Sequence, residues 1–352
     1  MTSDLAETVS RVAEYTTTLE MEGVDWERAM AIDGWLAVEE CVDDATYWVD
    51  RGVATQTSAG QFAYGSGDIA SYSENDSGVQ DRSRNSYNDT YFPTYNPAAL
   101  AWPALELYER TGEDRYLDAV ERQHDYFYGE HVPRTADGAI SRREEKTELY
   151  SEILHFLCPF FIRYGRIVGD DAPVDEALEQ IRLHAKHLQD PHTGLFRHIW
   201  HEQPDFYPAG SYWARGVGWA TAGLLHSLLA LPDGHEGRAD VRESLTTALD
   251  ALVPLQDASG FWHQRLDERR SPLEASGTLM FAYTMRRGLD EGVLEDDRYA
   301  EAAQAAMDAC VGIVDDEGGV HRIARPPASS FSPLGVTEYG QGWFMLAASR
   351  FL

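Results

Sequence analysis

The chain has 352 residues, 43% of them hydrophobic, with no visible linker, so it is long enough for one large core and reads as a single domain over 1–352. Its 59 acidic against 29 basic residues give a formal net charge of -30, a surface that repels nucleic acid and anionic lipid and argues against both as partners. Trp, Tyr and Phe, numbering 9, 18 and 13, are spread along the chain, so the charge belongs to the shell of a packed protein rather than to a disordered tail.

In chain order, the helical spacing of apolar residues predicts helices over 4–21, 27–40 and 44–53. The span 54–95 is rich in Ser, Asn, Asp, Gly and Tyr, follows no regular period, and is predicted to be a long loop. Helical spacing resumes over 97–111, 115–130, 147–168, 174–189, 211–231, 238–255, 272–290, 297–313 and 336–351, which completes twelve helices in six pairs. Four loops share a glycine, apolar residues and a basic or His-bearing strand-like tail: DGAISRRE from Asp137, TGLFRHIW from Thr193, SGFWHQRL from Ser259 and EGGVHRIA from Glu317. Their glycines, Gly138, Gly194, Gly260 and Gly318, are 56, 66 and 58 residues apart, and a weaker copy, AGQFAYGS from Ala59, precedes them.

Every second helix is rich in Ala, Gly, Leu and aromatic residues, as in GWATAGLLHSLLALP, and reads as buried all round; the others, such as EDRYLDAVERQHDYF, are amphipathic. A closed ring of six helical hairpins, an (α/α)6 barrel, places the first set inside and the second outside. The loop at about 54–95 then lies over one mouth. In such a ring the N-termini of the inner helices open on the same mouth. Residues far apart in sequence meet there: Trp26, Tyr95, Asn96, Glu148, Tyr150, Glu152, Trp213, Arg215, Trp219, Glu274, Glu338 and Tyr339, with His198, His201, His263 and His321 from the glycine loops. Aromatic plates beside Arg, His, carboxylates and amides suit a sugar, whose apolar faces stack on rings while its hydroxyls meet polar groups.

Each of these residues also has a purely structural reading. An acid at a helix N-terminus is favoured by the macrodipole, so Glu148 or Glu274 alone can be a cap. Glu152 lies deeper, ahead of the apolar run ILHFLCPFF, where a solvated cap is harder to place. Arg215, at the mouth of an apolar barrel, needs an anionic partner. No Gly-rich phosphate loop, nucleophile elbow or metal-ligand cluster competes, and neither a metal nor a cofactor is expected.

Only Lys146 and Lys186 of the basic residues are lysine, and we read the acidic shell as halophilic: in near-molar salt the Debye length is about 3 Å and self-repulsion is screened. No apolar stretch approaches the roughly 18 residues of a membrane span, and MTSDLAETVSRVAEY lacks the basic start and apolar core of a signal peptide, which points to the cytoplasm. Cys41, Cys158 and Cys310 are widely separated with no CxxC pair, so they suggest core residues rather than a disulfide or zinc framework.

The sequence resembles the unsaturated rhamnogalacturonyl hydrolases of glycoside hydrolase family 105 and the related unsaturated glucuronyl hydrolases of family 88. The resemblance runs through most of the chain, in DWERAMAIDGWLAVEE, LELYERTGEDRYLDAV, LYSEILHFLCPFFIRYG, HLQDPHTGLFRHIW, YWARGVGWATAGLLHSLLALP and LEASGTLMFAYTMRRG. Its most specific segment is WxRGxGW, Trp213 to Trp219. The resemblance implies an (α/α)6 barrel that removes an unsaturated uronic acid from the non-reducing end of an oligosaccharide; a monomer or small homo-oligomer is expected. It also implies hydration: an acid protonates the C4=C5 vinyl ether, water adds at C5, and the hemiketal opens to release the aglycone.

Carried over position by position, the resemblance puts Glu152 in the place of the family's catalytic aspartate, Tyr150 in that of a tryptophan, and Asn96 in that of a second aspartate. The histidines expected before the catalytic segment fall in ISRREEK, which has none. His198, Arg215 and Trp219 match. The expected site is therefore Glu152 and Asn96 as catalytic residues, with Tyr150, His198, Trp213, Arg215, Trp219, Arg143, His263 and Glu338 binding substrate. Burial or a second acid such as Glu338 is expected to keep Glu152 protonated. Two other readings stay open: a sugar isomerase or epimerase using His198, His263 and His321, and a sugar-binding protein without turnover.

Overall fold

The computed structural model describes residues 2–19, 21, 25–62, 94–130, 132–142, 147–325 and 332–352. Most of the predicted loop at 54–95, together with Arg143 and Glu145, lies outside them.

The amphipathic sequences form an outer set of helices: α1 (Thr2–Thr17), α3 (Val42–Ala54), α5 (Asp114–Tyr126), α8 (Ala172–Leu188), α10 (Arg238–Leu252) and α12 (Asp297–Val311). In α5 the buried residues Tyr116, Ala119, Val120 and Gln123 recur at helical spacing and leave the opposite face to charge. The Ala-, Gly- and Leu-rich sequences form the inner set: α2 (Asp25–Val38), α4 (Ala101–Thr111), α6 (Ile153–Phe156) continued by α7 (Cys158–Val168), α9 (Ala214–Ala230), α11 (Ala275–Asp290) and α13 (Glu338–Ala348). Every residue of α9 except Leu229 is buried.

The inner helices pack in chain order and α13 closes the ring on α2, which makes the fold an (α/α)6 barrel. Glycines set the spacing of the ring. A Cβ at Gly223 would lie 2.1 Å from the carbonyl oxygen of Leu154, and one at Gly342 would lie 2.0 Å from that of Met30, so a side chain at either would push inner helices apart.

The loop repeat is real at the level of backbone. Gly60, Gly138, Gly194, Gly260 and Gly318 all adopt the left-handed conformation. Beside three of them a glutamine amide, Gln56, Gln189 or Gln256, donates both to the loop glycine's carbonyl and to a carbonyl of a following outer helix.

The structure departs from the helical prediction where the loop tails find partners. Three short antiparallel pairs form: β1 (Glu148–Tyr150) with β2 (Ile199–His201), β3 (Trp262–His263) with β4 (Leu273–Glu274), and β5 (Ile323–Ala324) with β6 (Leu334–Gly335). Strands β1 and β4 fall inside segments predicted as helix, because an apolar strand running straight into an apolar helix gives no break in pattern. The predicted helix 147–168 begins only at Ile153 and breaks at Leu157, between α6 and α7. Pro159, in the first turn of α7, has no N–H to continue the ladder from α6.

Candidate active site

Glu152 is the N-cap residue of α6, yet its side chain caps nothing. Its Oε1 lies 2.8 Å from Nε2 of His198, and Ser151 Oγ donates to Oε2 at 3.3 Å. The hairpin makes this meeting: β1 pairs with β2, and the ladder extends through a bond from Ser151 N–H to the His198 carbonyl, 3.0 Å. Burial alone pushes the Glu152 carboxyl up. The charge and hydrogen bond of His198, with the charge of Arg142, outweigh it and hold the group below the usual carboxylate range.

That corrects the expectation of an acid kept protonated by burial or by Glu338. Glu338 opens α13, is half-buried, and does not line the cavity that Glu152 faces. Its helix is capped instead by Thr337, whose Oγ1 accepts from Gly340 N–H.

This cavity collects most of the predicted site. Asn96, Tyr150, Glu152, Trp213, Arg215 and Trp219 all line it. Asn96 is held there by the 3-10 turn Asn96–Leu100, with Pro97 in its first turn. Trp213 lies between two cationic or basic groups: its ring is 4.4 Å from that of His198, and the Arg215 guanidinium carbon is 4.3 Å from it. Trp26 and Phe156 add aromatic surface, packing on Trp219 at 5.6 and 4.8 Å.

Arg215 is 1% exposed in the first turn of α9. Its Nη1 donates to the Ala324 carbonyl at 2.6 Å and to Ser276 Oγ at 3.2 Å, while its Nε has no partner. Among the described residues no carboxylate pairs with it. A cation at a helix N-terminus opposes the macrodipole, so both the guanidinium and the helix end favour an anion arriving from the cavity.

Other expected residues lie elsewhere. His263 does not line the cavity: its Nδ1 is 2.6 Å from the Ser271 carbonyl and its Nε2 is 4.0 Å from Asp257, so its own loop holds it. His321 is exposed and paired with Asp315 at 2.6 Å. Arg143 lies outside the described residues; Arg142 instead lines the cavity, its guanidinium carbon 4.5 Å from the Tyr150 ring. Glu274 is a cap, accepting from the N–H groups of Ser276, Gly277 and Ala324. Sequence reasoning left Phe156 out, although it follows Glu152 by one helical turn and so shares its face. Among the described residues no cluster of three His, Cys, Asp or Glu side chains is placed to hold a metal ion.

Comparison with known proteins gives the family and supports the fold. The family model Glycosyl Hydrolase Family 88 matches residues 6–352, and the chain belongs to that family of glycoside hydrolases. It is 28% identical over 267 residues to the unsaturated rhamnogalacturonyl hydrolase YesR of Bacillus subtilis (strain 168), covering 73% of this chain and 75% of that one. It is also 31% identical over 147 residues to an unsaturated 3S-rhamnoglycuronyl hydrolase of Alteromonas sp. (strain LOR), over 40% of this chain and 35% of the relative. Among solved structures, a possible member of the GH105 family from Salmonella enterica superposes with a TM-score of 0.79 at 22% identity, covering 99% of this chain and 93% of that chain. The unsaturated glucuronyl hydrolase of Bacillus sp. GL1 superposes at 0.69 with 15% identity, over 98% and 94%.

Proposed function

We propose that this glycoside hydrolase removes an unsaturated uronic acid from the non-reducing end of an oligosaccharide by hydrating its C4=C5 bond. The observation that carries the reading is that a histidine-bound Glu152 and an Arg215 with no carboxylate partner among the described residues line one aromatic-walled cavity. The uronate carboxylate meets Arg215 and Arg142, and the ring lies against the tryptophans. The Glu152–His198 pair delivers a proton to C4, water adds to the oxocarbenium carbon C5, and the hemiketal opens by breaking its bond to the ring oxygen. The hemiacetal left at C1 then collapses and frees the aglycone.

The lowered position of Glu152 fits this sequence of events. His198 and Arg142 hold the Glu152 carboxyl below its usual range and favour its ionised form. A bound uronate brings a negative charge that offsets the guanidinium and excludes water, and both effects raise the Glu152 pKa and favour its protonated form. Asn96 lines the same cavity without adding a negative charge, and in this reading its amide bonds a sugar hydroxyl.

The epimerase reading loses support because His198, His263 and His321 do not converge on one cavity. Turnover separates the hydrolase from a binding protein. The protein should bleach the ultraviolet absorbance of the conjugated double bond in an unsaturated digalacturonide or glucuronyl disaccharide and release the reducing-end sugar. Binding without bleaching would overturn the reading.

We also propose that the protein works as a monomer or small homo-oligomer in the cytoplasm of a salt-adapted cell. The net charge of -30 and the three free cysteines support this reading. No helix among the described residues is long and apolar enough to cross a membrane. Folding and activity should rise together with salt, and full stability in dilute buffer would contradict the halophilic part.

A further inference from the structure

The hairpin that joins Glu152 to His198 carries a second carboxylate–imidazole pair. Glu148 and His201 stand opposite each other in the β1/β2 ladder, with Glu148 Oε1 3.0 Å from His201 Nε2. The pair is almost wholly withdrawn from water, the side chains being 4% and 9% exposed. Burying a carboxylate this way costs desolvation, and stability alone is a weak reason to keep it. Helix capping does not explain it, because Glu148 is in a strand.

What the carboxylate holds is visible two residues along the same strand, on the same face. Tyr150 donates its phenol O–H to Glu148 Oε2 at 3.4 Å, and the Arg142 guanidinium lies over the Tyr150 ring. The backbone fastens two of these residues together: Arg142 N–H donates to the Glu148 carbonyl at 2.9 Å. Tyr150 and Arg142 line the cavity, and Glu148 does not.

We propose that Glu148, held by His201, is a positioning residue for substrate binding. It fixes the Tyr150 phenol, and through that ring the Arg142 guanidinium, on the cavity wall where the uronate carboxylate binds. Glu152 acts on the reacting atoms, whereas Glu148 acts only on the wall. The proposal rests on the reading of the cavity as a site for an acidic sugar.

The test is a double-mutant cycle in Glu148→Gln, Tyr150→Phe and the combined variant. Each is assayed for KM, kcat and melting temperature on an unsaturated disaccharide. Loss of one charged hydrogen bond in the wall should raise KM about tenfold in Glu148→Gln while kcat stays within about threefold. Tyr150→Phe should raise KM by less and add nothing to Glu148→Gln, because the phenol has then already lost its anchor. Independent, multiplying effects would overturn the proposal, as would a fall in kcat at constant KM or no change in either. If Glu148→Gln does not fold, His201→Gln in the same cycle with Tyr150→Phe carries the test with the same outcomes. A wild type that neither binds nor turns over the disaccharide would overturn the proposed function. A working wild type matched by Glu148→Gln would overturn the positioning role alone.

Discussion

Glu152 and Glu274 occupy equivalent places in the repeat. Each ends a hairpin strand or follows it by two residues, and each is the N-cap of an inner helix. Glu274 spends its carboxylate on three backbone N–H groups, two in its own helix and one from Ala324. Glu152 spends its carboxylate on the side chain of His198 and leaves it facing a cavity. The same residue type at the same mouth is a backbone cap in one repeat and, in the proposed function, the acid in another; the two differ in their bonding partners.

Substituting the two glutamates should break the comparison most sharply. Glu152→Gln keeps shape and hydrogen bonding but cannot deliver a proton, so kcat should fall by about 10²–10⁴ with binding preserved and a far smaller change in melting temperature. Glu274→Ala should do the reverse: loss of the cap costs about 1–2 kcal/mol of stability, read as a lower melting temperature, with a far smaller loss of kcat. Similar kinetic defects in both would show that the carboxylates do not differ in role.

Arg215 sharpens the same contrast from the substrate side. Replacing it by Met should lower kcat/KM about 10²-fold on a free uronate, and much less on its methyl ester, which has no charge for the guanidinium to meet. An equal loss on both substrates would mean that Arg215 only packs. Asn96→Asp acts on Glu152 and not on Glu274. A negative charge in the cavity raises the Glu152 pKa, so the basic limb of the pH profile should move up by about one unit. A downward shift would contradict the assignment of Glu152 as the acid.

How far the sequence reached follows the same line. The glycine loops announced the repeat because a left-handed backbone position selects glycine whatever surrounds it. The inner and outer helices were legible because burial all round and burial on one face leave different patterns. The WxRGxGW segment located Arg215 and both tryptophans. Strand β1 was hidden, since Leu149 and Tyr150 merge into the apolar run of α6, and with it the partnership of Glu148 and His201. His263 and His321 could not be sorted from His198, because only the loop geometry shows which ring meets Glu152. Arg142 could not be told from its neighbour Arg143 in the sequence, because only the structure shows its guanidinium over the Tyr150 ring.

A smaller effect separates the mouth from the barrel interior. His155, one turn after Glu152, is buried among Phe156, Trp219 and Trp343, and burial depresses its pKa to about 3. Burial likewise brings His184 down to about 4. Both are neutral in the folded protein and take up a proton on unfolding below about pH 6.5, so they contribute stability above that pH and lose it as the pH falls toward 4. Glu152, also depressed, adds to the loss in the same direction at lower pH. Melting temperature should therefore decline on acidification, by the equivalent of up to about 1.4 kcal/mol per pH unit for each histidine. A flat profile between pH 6 and 4 would contradict the burial of these rings.

The central claim is that a fixed carboxyl delivers a proton to C4. Turnover of an unsaturated disaccharide in D2O, followed by NMR at early times, tests it most directly. The account predicts one deuterium at C4, placed on a single face by the wild type and absent at the same time points with Glu152→Gln. Cleavage of the glycosidic bond with no deuterium at C4, or identical labelling by Glu152→Gln, would contradict it.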